Sequence, residues 1–506
     1  MPVLGQQKIS PLSLLVVACI VVATAGVALL LPQASPWAFL ALAGAALMFY
    51  WAMRWEITAW AWLWVLSYGM LDAPLWRLEI PGFFNMTIPR FIFLGATLAF
   101  LLYFALRGQM LRFDRPVFWL MGAMIVCCGL SAAVSGWTAP ASPLPTAPYF
   151  RFLEPLLFAF IISFLFYNAV TGRPAQIKWA LIPLTIYGFY ALYIGYLQYA
   201  ANMGASGARD FIFPSYINQR EWGATYGIHF DRSRGAYTLA NPQATLLIAL
   251  FFIDLFLIRR LRGPYRVALA IQAVLIPPAI FFAGLRSGYL AFMVAGIIWC
   301  LTSKDRFGKG KLALAGLVLL LGAVMFRANL ATEDRTTGGI AQKTPIVGRI
   351  ILAERSWELF KSHPLTGVGF GHYLEAERRM EVDPGILAEL GTVMAMPHNL
   401  FLLMLSETGI IGLIILVALE VLLLRESLSL YRKLPETATG LLSRPLVVVF
   451  WVVYAAWFID GMLIDQLWDP ASSALFWSFA GLIVGLNRSL EPHTTDLVID
   501  PADGTS

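Results

Sequence analysis

The run LSLLVVACIVVATAGVALLL, from Leu12 to Leu31, decides the fold class. It supplies the roughly 20 consecutive apolar residues that an α-helix needs to cross the hydrocarbon core of a bilayer. It is longer than the core of an ordinary signal peptide, and no small-residue cleavage site precedes the next apolar run. We therefore interpret it as a membrane span and not as a cleaved signal. Similar runs recur to the end of the chain.

The composition excludes a soluble globular protein. Of the 506 residues, 59% are hydrophobic and only 13% are charged, whereas soluble domains carry about 25% charged residues. Backbone polar groups in lipid must be satisfied within their own segment, so the apolar runs are helices and not strands. The sequence therefore predicts an all-α integral membrane protein with about twelve to fourteen transmembrane helices.

The predicted spans divide the chain into five regions. The spans lie near residues 12–31, 36–53, 58–72, 91–106, 116–136, 152–170, 179–199, 241–258, 266–283, 287–302, 311–326, 399–424, 446–464 and 472–486. The regions are N-terminal helices at 1–200, central helices at 201–326 with an outer loop at 201–240, a long outer loop at 327–398, C-terminal helices at 399–486 and a tail at 487–506.

The basic residues predict the orientation. The net charge is +6, but Lys and Arg are spread over short loops, which is typical of topology signals and not of a nucleic-acid-binding surface. The loops Arg259 to Arg266 and Lys304 to Lys311 belong to the alternate set that is rich in basic residues. By the positive-inside rule this set, the tail and both termini are cytoplasmic, and the two long loops are periplasmic.

The long outer loop is predicted to be partly helical. IILAERSWELF, Ile350 to Phe360, places Ile350, Ala353, Trp357 and Phe360 on one helical stripe. A second short helix is predicted over Tyr373 to Met380. We expect these two helices to form a folded cap against the outer membrane surface.

The segment PHNLFLLMLSETGIIG, Pro397 to Gly412, leads from the long outer loop into a span. At 100° per residue, one helical face runs from His398 through Leu402, Leu405, Gly409 and Gly412. Two interpretations are open. Either His398 caps a helix at the interface, or its neutral imidazole accepts a proton as a general base at the membrane surface.

Arginines beside two spans form a second set of candidates. Arg232 and Arg234 lie just before one span, and Arg286 lies in a tight outer turn. A guanidinium offers a planar fork that matches phosphate oxygens; the alternative is that these residues only anchor helix ends at the lipid headgroups. Arg151 and Glu154, three residues apart, are predicted to be such an anchoring pair.

The segment SHPLTGVGFGHY, Ser362 to Tyr373, has glycines at alternate positions, namely Gly367, Gly369 and Gly371. This pattern predicts a tight loop or a close backbone approach to a ligand. The flanking strand, helix and acidic residue of a dinucleotide fingerprint are missing from it. His363 and His372 lack metal-ligand spacing, so we predict no metal site and no cofactor.

Together these segments resemble the O-antigen ligase and polymerase superfamily of bacterial membrane glycosyltransferases. His398 and Asn399, then Gly409 after nine residues and Gly412 after two more, are similar to the family's His-Asn signature. SHPLTGVGFGHY resembles its Pro-Leu-x-Gly-x-Gly-x-Gly segment, RGAYTLANPQATL its Asn-Pro approach to a span, and LRSGYLAF its Ser-Arg-Gly-Gly turn. Gln243 and Tyr289 depart from the residues common in the family. The resemblance covers roughly residues 233–486.

The resemblance implies the membrane glycosyltransferase C-type architecture and a transfer reaction on the periplasmic face of the bacterial inner membrane. The implied donor is a glycan on undecaprenyl diphosphate. The acceptor hydroxyl belongs to lipid A core for a ligase, or to a growing polysaccharide chain for a polymerase, in O-antigen or exopolysaccharide biosynthesis. The implied displacement is inverting and independent of metal.

The resemblance also implies roles for individual residues. His398 is the general base, and Arg234 and Arg286 bind the diphosphate. The supporting residues are Asn399, Arg232, Gly367, Gly369 and Gly371.

Two rival functions remain open at this point. A transporter or flippase for a lipid-linked glycan would suit the many spans and the intramembrane Pro277 and Pro278. Transporters, however, usually bury their functional charges near the bilayer midplane, whereas the candidate groups here crowd the outer boundary. A structural subunit of a polysaccharide export assembly would need neither His398 nor the arginines.

Overall fold

The computed structural model describes residues 77–78, 86–106, 110–138, 147–212, 232–237, 239–302, 344–380, 396–435, 440–463 and 469–491. Across these ranges the chain is helical apart from a two-residue antiparallel pairing of β1 (Arg77–Leu78) with β2 (Met86–Thr87). Within these ranges, eight helices are long and apolar enough to cross a membrane, and Arg286–Thr302 is a shorter apolar helix. The predicted all-α integral membrane fold is confirmed.

Ten of the described helices coincide with predicted spans, and two more coincide with the two predicted cap helices. They are α1 (Ile88–Leu106), α2 (Pro116–Ser135), α3 (Pro148–Val170), α4 (Ile177–Asn202), α5 (Ala240–Ile258), α6 (Pro264–Phe282), α7 (Arg286–Thr302), α8 (Thr344–Ser362), α9 (Tyr373–Arg378), α10 (Leu400–Lys433), α11 (Arg444–Leu463) and α12 (Pro470–Ser489). The predicted spans near 12–31, 36–53, 58–72 and 311–326 lie outside the described residues. The division into five regions stays a prediction.

Local chemistry explains several helix starts and one distortion. Proline occupies the first turn of α2, α6 and α12, where its fixed φ suits a helix and its missing N–H is not needed. Asp469 caps α12, because its Oδ1 accepts hydrogen bonds from the backbone N–H groups of Ala471 and Ser472. Within α3, Pro155 removes a donor, and the helix widens to a π-helix over Phe152–Phe158.

Helix α12 is the centre of the bundle. Every residue of its most apolar stretch is buried, whereas only one third of the corresponding stretches of α2 and α6 is buried. Small residues let α3 approach α12 closely, since a Cβ added to Gly481 would lie 2.0 Å from the backbone oxygen of Ser163. Large apolar side chains on α2, such as Trp119 and Leu130, remain exposed. We infer that α2 and α6 face lipid and that α12 does not.

Basic residues collect at one end of the bundle. Arg115, before α2, pairs with Glu491 after α12 at 2.5 Å, and Arg488 pairs with Asp114 at 2.9 Å. Lys433, at the end of α10, donates to Asn487 Oδ1 at 2.8 Å. These contacts place loops that are predicted to be cytoplasmic at the same end of the bundle. This agrees with the alternation of loops rich and poor in basic residues, from which the orientation is predicted.

The outer segment, which we define as residues 344–380, contains both predicted cap helices, α8 and α9. The predicted apolar stripe does not pack on the described bundle, since Ile350 is 55% exposed and Trp357 is 50% exposed. The buried face of α8 instead includes Leu352 and Leu359, because α8 packs on α10 through that side. The predicted contact with the membrane surface stays a prediction.

The close approach of α3 and α12 is testable. We expect Gly481→Ala to lower the free energy of unfolding by about 1–3 kcal/mol, since a new methyl group would force the two backbones apart. Gly296→Ala in α7 is the matched control, because nothing lies within 4 Å of its added Cβ, and alanine is the better helix former. Thermal unfolding of the two variants in detergent checks this. Equal melting temperatures would contradict the proposed packing.

Candidate functional site

His398 lies at the entrance to α10 in a backbone conformation that is unusual for a residue with a side chain. Its φ is 49°, and it is the one non-glycine residue of the described ranges with a positive φ. The next residue fixes the turn, because Asn399 Oδ1 accepts hydrogen bonds from Phe401 N and Leu402 N, both at 3.0 Å. The His398 side chain is exposed. Asn399 is therefore a helix cap that orients its neighbour.

Arg234 belongs to a buried turn that α4 holds in place. The Gln198 side chain accepts hydrogen bonds from Arg234 N and Gly235 N and donates to the Gly235 carbonyl at 2.7 Å. Arg234 is only 4% exposed, and its Nη1 donates to the Tyr237 carbonyl. The sequence did not predict the burial of Arg234, and its assignment to the diphosphate stays a prediction.

Arg286 lies beside the Arg234 turn. Ser233 N donates to the Phe282 carbonyl at 2.8 Å, at the end of α6. A Cβ added to Gly284 would lie 3.0 Å from Arg232 Cγ, and Gly284 has a φ of 62°. Arg286 follows as the half-buried first residue of α7. The two predicted cationic segments thus pack against each other.

The elements that carry His398 and the arginines share one end of the bundle. Asn399 Nδ2 donates to the Met462 carbonyl at the end of α11, at 3.3 Å. Asp460, two residues earlier, accepts from Thr245 Oγ1 near the start of α5 at 2.9 Å. Helix α11 therefore links the histidine segment to the helix that follows the Arg234 turn.

A further cation at this end escaped the sequence analysis. Exposed Arg349 of α8 donates from Nη2 to the Leu463 carbonyl at 3.3 Å, next to the carbonyl that Asn399 contacts. A lone Arg in a long loop has no pattern that points to a site. The one feature of the sequence from which Arg349 could have been predicted is its position just before the apolar stripe of α8.

Helix α10 is broken at Gly409, which has φ 67° and ψ −164°. In a regular helix the Ser406 carbonyl would accept from Ile410 N. Here it accepts from Val368 N at 2.9 Å, while Ile410 N donates to the Pro364 carbonyl at 2.9 Å. The glycine-rich segment thus crosses α10 and replaces the hydrogen bonds that the break removes. The predicted helical face from His398 to Gly412 is wrong beyond Gly409, because the helix does not continue through it.

The alternate glycines approach protein backbone and side chains. All three have a positive φ. A Cβ on Gly367 would lie 2.3 Å from the backbone carbon of Glu407, one on Gly369 would lie 2.1 Å from Ser135 Oγ, and one on Gly371 would lie 2.6 Å from Pro148 Cα. The sequence left two explanations open, a tight loop or a close backbone approach to a ligand. Tight packing of the loop against protein atoms accounts for all three glycines.

Arg151 and Glu154 do not form the predicted anchoring pair. Arg151 Nη1 donates to Glu407 Oε1 at 2.6 Å, and both side chains are fully buried. Glu154 pairs with Arg90 of α1. The prediction fails because residues three apart on α3 find different partners on α10 and α1, which sequence spacing cannot reveal.

A cleft of about 1080 Å³ opens beside the glycine-rich segment. Its described lining includes apolar residues of α2, such as Val126 and Leu130, and the polar side chains of His363, His372 and Arg379. His372 Nε2 lies 2.8 Å from the Gly136 carbonyl. His398, Arg234 and Arg286 are not among the described lining residues, so this cleft is separate from the predicted catalytic side chains.

Comparison with known proteins identifies part of the chain. Residues 271–417 match the family model described as O-antigen ligase. Residues 271–417 are therefore similar to the O-antigen ligase family, and we call them the ligase-family domain. The match supports the resemblance seen in the sequence, and the family indicates a membrane glycosyltransferase. No curated protein matches the chain.

The ligase-family domain contains only some of the predicted site residues. Arg286, the three glycines, His398 and Asn399 lie within the matched residues, as does Arg349. Arg232 and Arg234 precede the match, but the contacts with Phe282 and Gly284 attach them to it. The individual roles and the absence of a metal stay predictions.

Asp469, which caps the start of α12, gives a pH-dependent prediction. Burial raises its pKa from 3.8 to about 6, against the opposing hydrogen bonds from Ser472. Its stabilising contribution is therefore complete below pH 3.8 and is lost as the pH rises through 6. Asp469→Asn keeps an oxygen that can cap α12. We expect the free energy of unfolding of this variant to exceed that of wild type at pH 8 by up to about 3 kcal/mol, with the difference vanishing near pH 4. Its melting temperature at pH 8 should therefore be higher.

Melting curves at the two pH values check this prediction. Asp210→Asn, at an exposed position, is the control and should change the melting temperature little. A less stable Asp469→Asn variant at pH 8 would show that the carboxylate is favourable there.

Proposed function

We propose that the protein transfers a glycan from an undecaprenyl diphosphate carrier to an acceptor hydroxyl on the periplasmic face of the inner membrane. The acceptor is lipid A core or a growing polysaccharide chain. The ligase-family match supports the reaction class. The observation that carries the proposal is the convergence of the His398 segment and the arginine segments at one end of the helical bundle.

The chemistry requires charge stabilisation at the leaving group. Breaking the bond between sugar and diphosphate increases negative charge on phosphate oxygens, which fixed guanidinium groups can stabilise. Arg286 begins α7, so its side chain is next to the positive dipole end of a helix. Arg234 lies in the adjoining turn, with Arg232 in support. We assign the diphosphate to these arginines.

The acceptor hydroxyl must lose a proton as it attacks the sugar. We assign this proton to His398, whose neutral imidazole can accept it. Direct attack by the hydroxyl on the anomeric carbon, with departure of the carrier diphosphate, inverts the configuration and needs no metal. The exposed position of His398 leaves it accessible to an acceptor, and the Asn399 cap fixes the turn. Arg349 is a further candidate for contact with substrate anions, from the side of the outer segment.

Loss of the imidazole should abolish turnover. We expect His398→Ala to lower kcat by at least about 100-fold at normal protein levels, since it removes general-base catalysis. The assay follows product formation from a purified lipid-linked repeat, with and without lipid A core. His363→Ala is the matched control, because His363 is exposed in the outer segment and contacts Ser362. Retained turnover in His398→Ala would remove the general-base role.

The same assay separates the two acceptors. Chain growth without core indicates a polymerase, and a single attachment to core indicates a ligase. Movement of labelled lipid across vesicles without a new glycosidic bond would favour the flippase.

Loss of a phosphate-binding cation should affect donor use. We expect Arg286→Ala to lower kcat/KM for the donor about 100-fold, because an electrostatic contact to the leaving diphosphate is lost. Arg286→Lys should recover only part of it, since an ammonium cannot make the bidentate contact. Arg379→Ala is the control at an exposed arginine paired with Glu375. An Arg286→Ala variant with the donor kinetics of wild type would contradict the assignment.

A further inference from the structure

Arg151 and Glu407 are two buried charged residues that the proposed reaction does not use. Glu407 lies on the short half of α10 between its start at Leu400 and the break at Gly409. Its Oε1 accepts from Arg151 Nη1 at 2.6 Å and from Tyr373 N at 3.3 Å. The Arg151 guanidinium lies 4.9 Å from the centre of the Phe370 ring. One carboxylate therefore ties together α3, α10 and the glycine-rich segment.

Because of the break at Gly409, the direction of this short half-helix is not set by the rest of α10. Two backbone hydrogen bonds hold the half-helix to the glycine-rich segment, from Val368 N to Ser406 O at 2.9 Å and from Gly369 N to Glu407 O at 3.0 Å. The close contact of Gly367 with Glu407 leaves no space for adjustment at the crossing. The half-helix is therefore fixed by its neighbours.

His398 is carried by this half-helix. It lies nine residues before Glu407, about 13 Å along a helix, so Glu407 cannot touch a group that reacts at His398. A rotation of the half-helix at the Gly409 break would displace the imidazole relative to Arg234 and Arg286, which lie on other elements. The charge pair is thus placed to control the position of His398 while leaving the arginines where they are.

We propose that Glu407 and Arg151 are positioning residues that set the location of His398 through the broken half of α10. The proposal rests on the proposed function of His398. It goes beyond that function because it assigns a catalytic consequence to a buried charge pair remote from the reacting atoms. Removing the charge should therefore slow the chemical step while donor binding persists.

The test is the separation of kcat from KM in Glu407→Gln. We expect kcat to fall about 10- to 100-fold, since small misplacements of a catalytic group have effects of this size, while KM for the donor stays within about two-fold. Glu407→Asp keeps the charge with a shorter side chain and should recover part of kcat. Purified enzyme in lipid nanodiscs, with a lipid-linked donor and the acceptor that supports turnover, gives both constants.

Glu154→Gln is the matched control. Glu154 is also a buried carboxylate paired with an arginine, Arg90, but its partner lies on α1. We expect this variant to retain at least half of kcat. An equal loss of kcat in Glu154→Gln would show that any buried charge in this region matters, which would overturn the positioning role.

Other outcomes are equally decisive. Folded Glu407→Gln with the kcat of wild type overturns the proposal, as does a rise in KM at constant kcat. If Glu407→Gln does not fold, Glu407→Asp decides by the same criteria. His398→Ala distinguishes a failure of the proposed function from a failure of this inference. If His398→Ala is fully active, both are wrong. An inactive His398→Ala beside a fully active Glu407→Gln removes only the inference.

Discussion

A fully buried ion pair, Arg151 with Glu407, and the helix break next to it constrain the rest of the site. A buried charge without its partner costs several kcal/mol, so α3 and α10 are held in one relative position. A break in a membrane helix also leaves backbone groups that lipid cannot satisfy. The glycine-rich segment supplies those hydrogen bonds, and only residues without a Cβ can lie so close to α10.

The consequence is a short half-helix with the exposed His398 just before its first residue. Its direction is set by packing against the glycine-rich segment and not by the long remainder of α10. The start of this half-helix contacts α11, and α11 contacts α5, which follows the Arg234 turn. These contacts therefore place the segments that carry an imidazole and several guanidinium groups at one end of the bundle, partly within the residues that match the ligase family. We regard this arrangement as the physical basis of the proposed glycosyl transfer.

The two ends of the bundle have different physical tasks. One end gathers basic residues into ion pairs and hydrogen bonds with Glu491, Asp114 and Asn487, which fixes helix ends together. At the other end, α5, α7, α10 and α12 all begin, so their positive dipole ends lie on the same side as the candidate arginines. Helices α5 and α10 also pack on α12, and Gly481 and Gly485 of α12 allow its close contact with α3.

The sequence by itself determined the fold class, the described spans, both cap helices, and the family. The length of an apolar run and the placement of basic residues are local properties, and both can be read from consecutive residues. It also pointed to His398, Arg234, Arg286 and the glycine-rich segment as chemically unusual. Only the tertiary structure decided that Gly409 breaks α10, that Arg151 pairs with Glu407 and not with Glu154, that Arg349 joins the histidine end, and that the apolar stripe of α8 stays exposed. These features depend on contacts between residues up to 256 positions apart, and no periodicity within one helix records which distant side chain completes a buried charge.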